Sequence, residues 1–128
     1  MGKKLHVVKK QREYGVQGYF NWEYGKFMDI LSDLGCYVEQ NDENSDFFEI
    51  PLKDYENAMS ILRQWKENKE ISIEEMETDS GEQVYFDLDS VKTKMDAIEL
   101  DLDPLLKIME DFYEDRDKDS NWIQFEAW

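Results

Sequence analysis

Residues 47–65 read FFEIPLKDYENAMSILRQW, and the change of period inside this stretch decides the fold class. Phe47-Phe48-Glu49-Ile50 has the aromatic and β-branched composition of a strand, and Pro51 ends it by withholding a ladder N–H. Directly afterwards Tyr55, Ala58, Met59, Leu62 and Trp65 recur at steps of three and four, which sets one apolar stripe on a helix of about four turns. A strand and a helix therefore adjoin without a linker, and the chain is expected to mix α and β elements in one layer system.

Upstream, Tyr24, Phe27, Met28, Leu31 and Leu34 repeat the helical spacing from about Asn21, and Gly35 is placed to stop that helix. Leu5-His6-Val7-Val8 reads as a short strand, Lys9 to Gly18 as a loop, Cys36-Tyr37-Val38-Glu39 as a strand, and Gln40 to Asp46 (QNDENSD) as a loop. Downstream, Ile71-Ser72-Ile73 opens a strand. Val84, Phe86 and Leu88 alternate with Tyr85, Asp87 and Asp89 in another, and Thr78-Asp79-Ser80-Gly81 supplies a turn that makes the two a hairpin. Ser90 can cap a helix bearing Val91, Met95 and Ile98. Asp103 at the N-cap with Pro104 after it starts a further helix, striped by Leu105, Ile108, Met109, Phe112 and Tyr113. Trp122, Ile123 and Phe125 close the sequence as something extended or tucked. The order over residues 4–77 is β-α-β-β-α-β, the split βαβ arrangement of ferredoxin-like domains. The expected fold is thus α+β, a ferredoxin-like core with a C-terminal β-strand and helical extension, all 128 residues forming a single domain.

Charge divides this sequence unevenly. It holds 31 Asp and Glu against 15 Lys and Arg, a net charge of −16. Five of the basic residues (Lys3, Lys4, Lys9, Lys10 and Arg12) fall in the first twelve positions, which contain no acid, so residues 13–128 carry −21. The basic strand and loop of residues 1–18 thus precede an acidic half at 70–119. Such a surface repels phosphate and anionic lipid and attracts basic proteins over a Debye length, about 8–10 Å at physiological salt. Direct nucleic-acid and membrane binding are not expected, and the single Cys36 with no apolar leader or span reads as a cytoplasmic protein.

Enzymatic chemistry finds few footholds. His6 is the only histidine, which closes most serine–histidine and multi-histidine metal arrangements, and no glycine loop suits a phosphate. A Cys36–His6 nucleophile pair is conceivable in space, but a buried thiol at a strand start is the ordinary reading. Asp115, Asp117, Asp119 and Glu126 match positions 1, 3, 5 and 12 of an EF-hand-type calcium loop. Ser120 stands where that loop wants glycine, Trp122 follows, and no exit helix fits, so the run reads as acidic surface with at most weak calcium affinity.

What remains points to binding. Asp87 and Asp89, Asp101 and Asp103 are spaced i, i+2, which on an extended segment aligns carboxylates on one face roughly 6.6 Å apart, comparable to nucleic-acid phosphates. Tyr19 and Trp22 belong to an aromatic cluster of the kind that anchors interfaces. The expectation is a non-enzymatic acidic protein without a cofactor that engages a basic protein partner, one that itself binds nucleic acid included. It would act as an inhibitor or immunity-type protein or as a DNA mimic, with Asp87, Asp89, Asp101, Asp103, Tyr19 and Trp22 as contacts. The alternatives are a small enzyme or ligand-regulated domain with a site assembled only in three dimensions, or a weak calcium binder.

Overall fold

Along the chain run strands β1 (Leu5–Lys10) and β2 (Glu13–Tyr14), helix α1 (Tyr24–Asp33), strands β3 (Glu39–Gln40) and β4 (Phe47–Pro51), helices α2 (Leu52–Lys66), α3 (Leu88–Ala97) and α4 (Leu102–Asp115), and strand β5 (Trp122–Ala127). The computed structural model describes residues 4–10, 13–14, 18–20, 24–40, 47–67 and 85–128. Four strands form an antiparallel core in the order β1-β5-β4-β3, and the two-residue β2 extends it beyond β1. The fold is mixed α+β, as residues 47–65 imply.

The strand order departs from the split βαβ expectation, which sets the first strand beside the third. Here β5 lies between β1 and β4. The segment expected only to be extended or tucked is instead a central strand, because Ile123, Phe125 and Ala127 give it a continuous buried face and both edges find partners. Residues 71–73, 78–81 and 84 lie outside the described residues, and with them most of the expected hairpin. Its second strand is corrected at the end that can be seen. Residues 85–87 form no strand, and Leu88 opens α3. Alternation at Phe86 and Leu88 also satisfies the helical series Leu88, Val91, Met95, and burial of Val91 and Met95 decides for the helix.

Local chemistry explains the other boundaries. Helix α1 stops in a Schellman turn: Gly35 sits at φ 92°, Cys36 N–H donates to Leu31 O at 3.0 Å, and Gly35 N–H donates to Ser32 O at 3.0 Å. The expected strand at 36–39 begins only at Glu39, since residues 36 and 37 spend their donors elsewhere. Cys36 Sγ–H donates to Asp54 O at 3.3 Å and Tyr37 N–H to Asp54 Oδ2 at 3.0 Å. The N-cap of α3 is Asp87, whose carboxylate accepts from Ser90 N–H at 3.1 Å, not Ser90. Helix α4 starts two residues before the expected point, with Asp101 at its N-cap. Pro104 is tolerated in this first turn, where its missing N–H has no intrahelical partner to lose.

The helices back one face of the sheet through a shared core. Phe27, Phe112 and Phe125 meet at centroid distances of 5.1–6.2 Å, and Leu5, Ile50, Leu62, Leu105 and Ile123 are fully buried around them. Tyr55 crosses the α2–α4 interface, its hydroxyl donating to Met109 O at 2.7 Å. Asp33 ties α3 to α1 by accepting from Ser90 Oγ at 2.7 Å and Lys94 Nζ at 2.6 Å. No described helix is long and apolar enough to cross a membrane.

Candidate binding face

Strand alternation that buries Phe48, Ile50, Ile123 and Phe125 under the helices must turn their neighbours the other way. That second face carries Phe47 and Glu49 from β4, Trp122, Gln124 and Glu126 from β5, and His6 from β1. The register arranges them in rows: Trp122 beside Pro51, Gln124 beside Glu49 and Glu39, and Glu126 between His6 and Phe47. Tyr37, which precedes β3, reaches across β4 so that its ring meets Trp122 nearly edge-on, centroids 6.5 Å apart and planes at 75°. Tyr37 is 60% exposed and Trp128 50%.

Two features of this face bear on recognition. Glu39 and Glu49 oppose one another directly across the β3–β4 pair, an arrangement in which like charges destabilise a sheet. At the other end His6 stacks on Trp128 and is bordered by Gly18, where a Cβ would fall 2.4 Å from the imidazole Nε2. Burial holds the His6 pKa below its ordinary value, against the raising effect of backbone hydrogen bonds with Lys4 and Glu126.

The sequence-chosen acids do not gather here. All four, Asp87, Asp89, Asp101 and Asp103, are exposed, but they lie at the starts of α3 and α4. The rest of α3 from Ser90 to Ala97, about 12 Å of axis, separates the first pair from the second. The 6.6 Å spacing of an extended strand therefore does not apply to either pair. Asp87 is engaged as a cap and Asp103 pairs with Lys66 at 2.8 Å. At the N-terminal ends of helices these charges also suit the macrodipole.

Tyr19 lies against the core. Its backbone bridges Leu5, its ring meets Phe112 edge-on at 5.2 Å, and its hydroxyl donates to Asp111 Oδ2 at 2.7 Å. Burial, with Asp111 second, pushes its pKa up to about 12. Phe20 beside it adopts φ 62° and stacks on Phe27 at 4.4 Å. Trp22 lies outside the described residues.

Asp115, Asp117 and Asp119 lead out of α4, but Glu126 does not return to them. Asp115 meets Lys9 at 3.9 Å, and Asp117 Oδ1 accepts from Asp119 N–H at 3.0 Å in an Asx turn. Glu126 stands in the middle of the sheet, paired with His6 and Phe47, so the twelve-residue spacing ends on a strand. Among the described residues no group of three or more His, Cys, Asp or Glu is arranged to hold a metal ion. Cys36 belongs to the buried core and His6 to the opposite face, so the two do not form a nucleophile pair. Burial, reinforced by Asp54, raises the thiol pKa well above its ordinary value and keeps it protonated.

Two open grooves lie elsewhere. One of about 390 Å³ between α2 and α4 is lined by Arg63, Lys66 and Lys107 together with Asp103 and Glu110, and ion pairs cross it. Another of about 400 Å³ runs along α1 over Met28, Val38 and Phe48. Sequence reasoning missed Tyr37, Glu49, Trp122 and Trp128. The signal for part of this face was present in the alternation of Trp122, Gln124 and Glu126 with Ile123, Phe125 and Ala127. No family model matches this chain, and no characterised protein or solved structure is detectably similar to it.

Proposed function

We propose that this chain is a small acidic, non-enzymatic binding protein that engages a basic protein partner. The observation that carries the reading is the sheet face opposite the helices, where exposed Tyr37 and Trp128 and half-buried Trp122 lie near Glu39, Glu49 and Glu126 in a chain of net charge −16. Long-range attraction to such a surface speeds encounter, while Tyr37, Trp122 and Trp128 supply area that holds the complex once formed. Inhibition of a cationic site by this face fits the geometry better than DNA mimicry. Mimicry draws on regularly spaced carboxylates, and the two aspartate pairs considered for it sit on separate helix starts.

The test is affinity capture from the native lysate at about 50 mM salt, followed by elution at about 500 mM. The expected result is a basic protein that forms a one-to-one complex with the purified chain, with an on-rate that falls steeply over that salt range. A partner that is acidic, or that binds with a salt-independent on-rate, overturns the reading.

A further inference from the structure

We infer that the sheet face opposite the helices docks an extended partner segment carrying arginine at alternate positions, and that it selects arginine over lysine. This rests on the acidic-binder reading above and names the chemistry of the partner. Three observations lead to it.

First, Tyr37 and Trp122 form a corner of two rings at 75°, and Tyr37 is 60% exposed. A planar guanidinium can lie on such a ring and still direct its N–H groups sideways, whereas an ammonium has neither the plane nor the fork. Second, the next row holds Glu39 and Glu49 face to face, neither with an ion-pair partner among the described residues. A cation placed there would face two acids at once, and a guanidinium has donors enough for both carboxylates. Third, this chain already uses the same pairing within itself: Arg116 lies 3.8 Å over the Tyr113 ring while donating to Tyr113 O at 2.6 Å.

Spacing sets the form of the occupant. Trp122, Gln124 and Glu126 follow at two-residue steps, about 6.6–6.8 Å each, and same-side residues of an extended peptide recur at the same interval. Successive arginines would meet the aromatic corner and then the Glu39–Glu49 row.

Calorimetry of the full chain at about 150 mM salt tests this, with a short peptide alternating arginine and serine and its lysine counterpart of equal length and charge. The arginine peptide is expected to bind about fivefold or more tightly than the lysine one. Tyr37→Ala should abolish that preference, and so should the double change Glu39→Gln, Glu49→Gln, which removes both charges and keeps the side-chain shape. Equal affinities, or a preference that survives both variants, overturn the arginine face. If the peptides bind equally and only Asp89→Asn with Asp101→Asn weakens them, this inference fails while the acidic-binder reading stands. If neither peptide binds even at about 50 mM salt, both fail together.

Discussion

The His6 imidazole lies flat on the Trp128 indole, with ring centroids 3.6 Å apart and planes 7° from parallel. The pair closes the β1–β5 ladder, where Lys4 and Trp128 exchange backbone hydrogen bonds at 2.7 and 3.0 Å. Gly18 borders the imidazole so closely that a methyl group there has no room unless the ring leaves its stack. Gly18→Ala should therefore cost about 1–3 kcal/mol, the usual range for overpacking. In a His6→Ala background the same change should cost much less. Denaturant unfolding of the four-member cycle checks this, and additive costs would show that the two residues do not compete for one space.

The same imidazole should report its burial in a titration. Its pKa is lowered in the folded protein, so the unfolded chain binds the proton more readily. The stabilising contribution of neutral His6 is then complete above the unfolded value near 6.5 and declines as pH falls through the lower folded value. Proton resonances of the His6 ring should titrate below pH 6.5, and His6→Gln should flatten the loss of melting temperature just below that pH. A midpoint at or above 6.5 would remove the argument.

Legibility in the sequence tracks how local each interaction is. Helix α2 could be read because Tyr55 to Trp65 repeat one period for four turns, and α1 because Leu31, Gly35 and Cys36 complete a turn within six residues. The position of β5 could not. Ile123, Phe125 and Ala127 reveal one buried face, but not that β1 and β4 will flank the strand, which depends on contacts across the whole chain. Residues 85–88 escape a strand reading because alternating positions there fit either period, and the deciding bond, Ser90 N–H to Asp87, is specific to the cap. The acidic character of the surface was plain from composition. The face itself was not, since Tyr37 and Trp122 meet only when β4 is laid between them.

Asp54 links that face to the core. It is 5% exposed in the first turn of α2, and its Oδ2 accepts the Tyr37 N–H at 3.0 Å. Asp54→Ala leaves that amide without its acceptor and removes an acid favoured by the helix dipole, so a loss of about 1–3 kcal/mol is expected. Hydrogen exchange at Tyr37 should accelerate in the variant well beyond the change seen at Ile61, which lies within α2. Uniform acceleration at both sites would mean that Asp54 stabilises the helix alone and does not hold Tyr37 in place.

The aspartates at the helix starts separate into structural and purely electrostatic members. Asp87 accepts from Ser90 N–H and its own N–H donates to Asp33 O at 2.8 Å, so it fixes where α3 begins and how it meets α1. Asp87→Ala should cost about 0.5–2 kcal/mol, the usual loss of an N-cap, and Asp87→Ser should restore most of it. Asp103 pairs with Lys66 at 2.8 Å, but its side chain is 71% exposed, and Asp103→Ala should change stability by less than about 1 kcal/mol. A reversal of all four aspartates to lysine would therefore mix loss of charge with loss of a cap, and a slower partner on-rate in that variant could not be assigned to either. Reversing Asp89, Asp101 and Asp103 while retaining Asp87 separates them. The melting temperature should then fall less than in the fourfold reversal, reflecting helix-dipole contributions of about 0.3–1 kcal/mol per charge, and a fall in on-rate while the fold is intact reports long-range attraction. Unfolding of this triple variant at the midpoint of Asp87→Ala would instead show that charge at the helix starts, not the single cap, holds α3 and α4 in place.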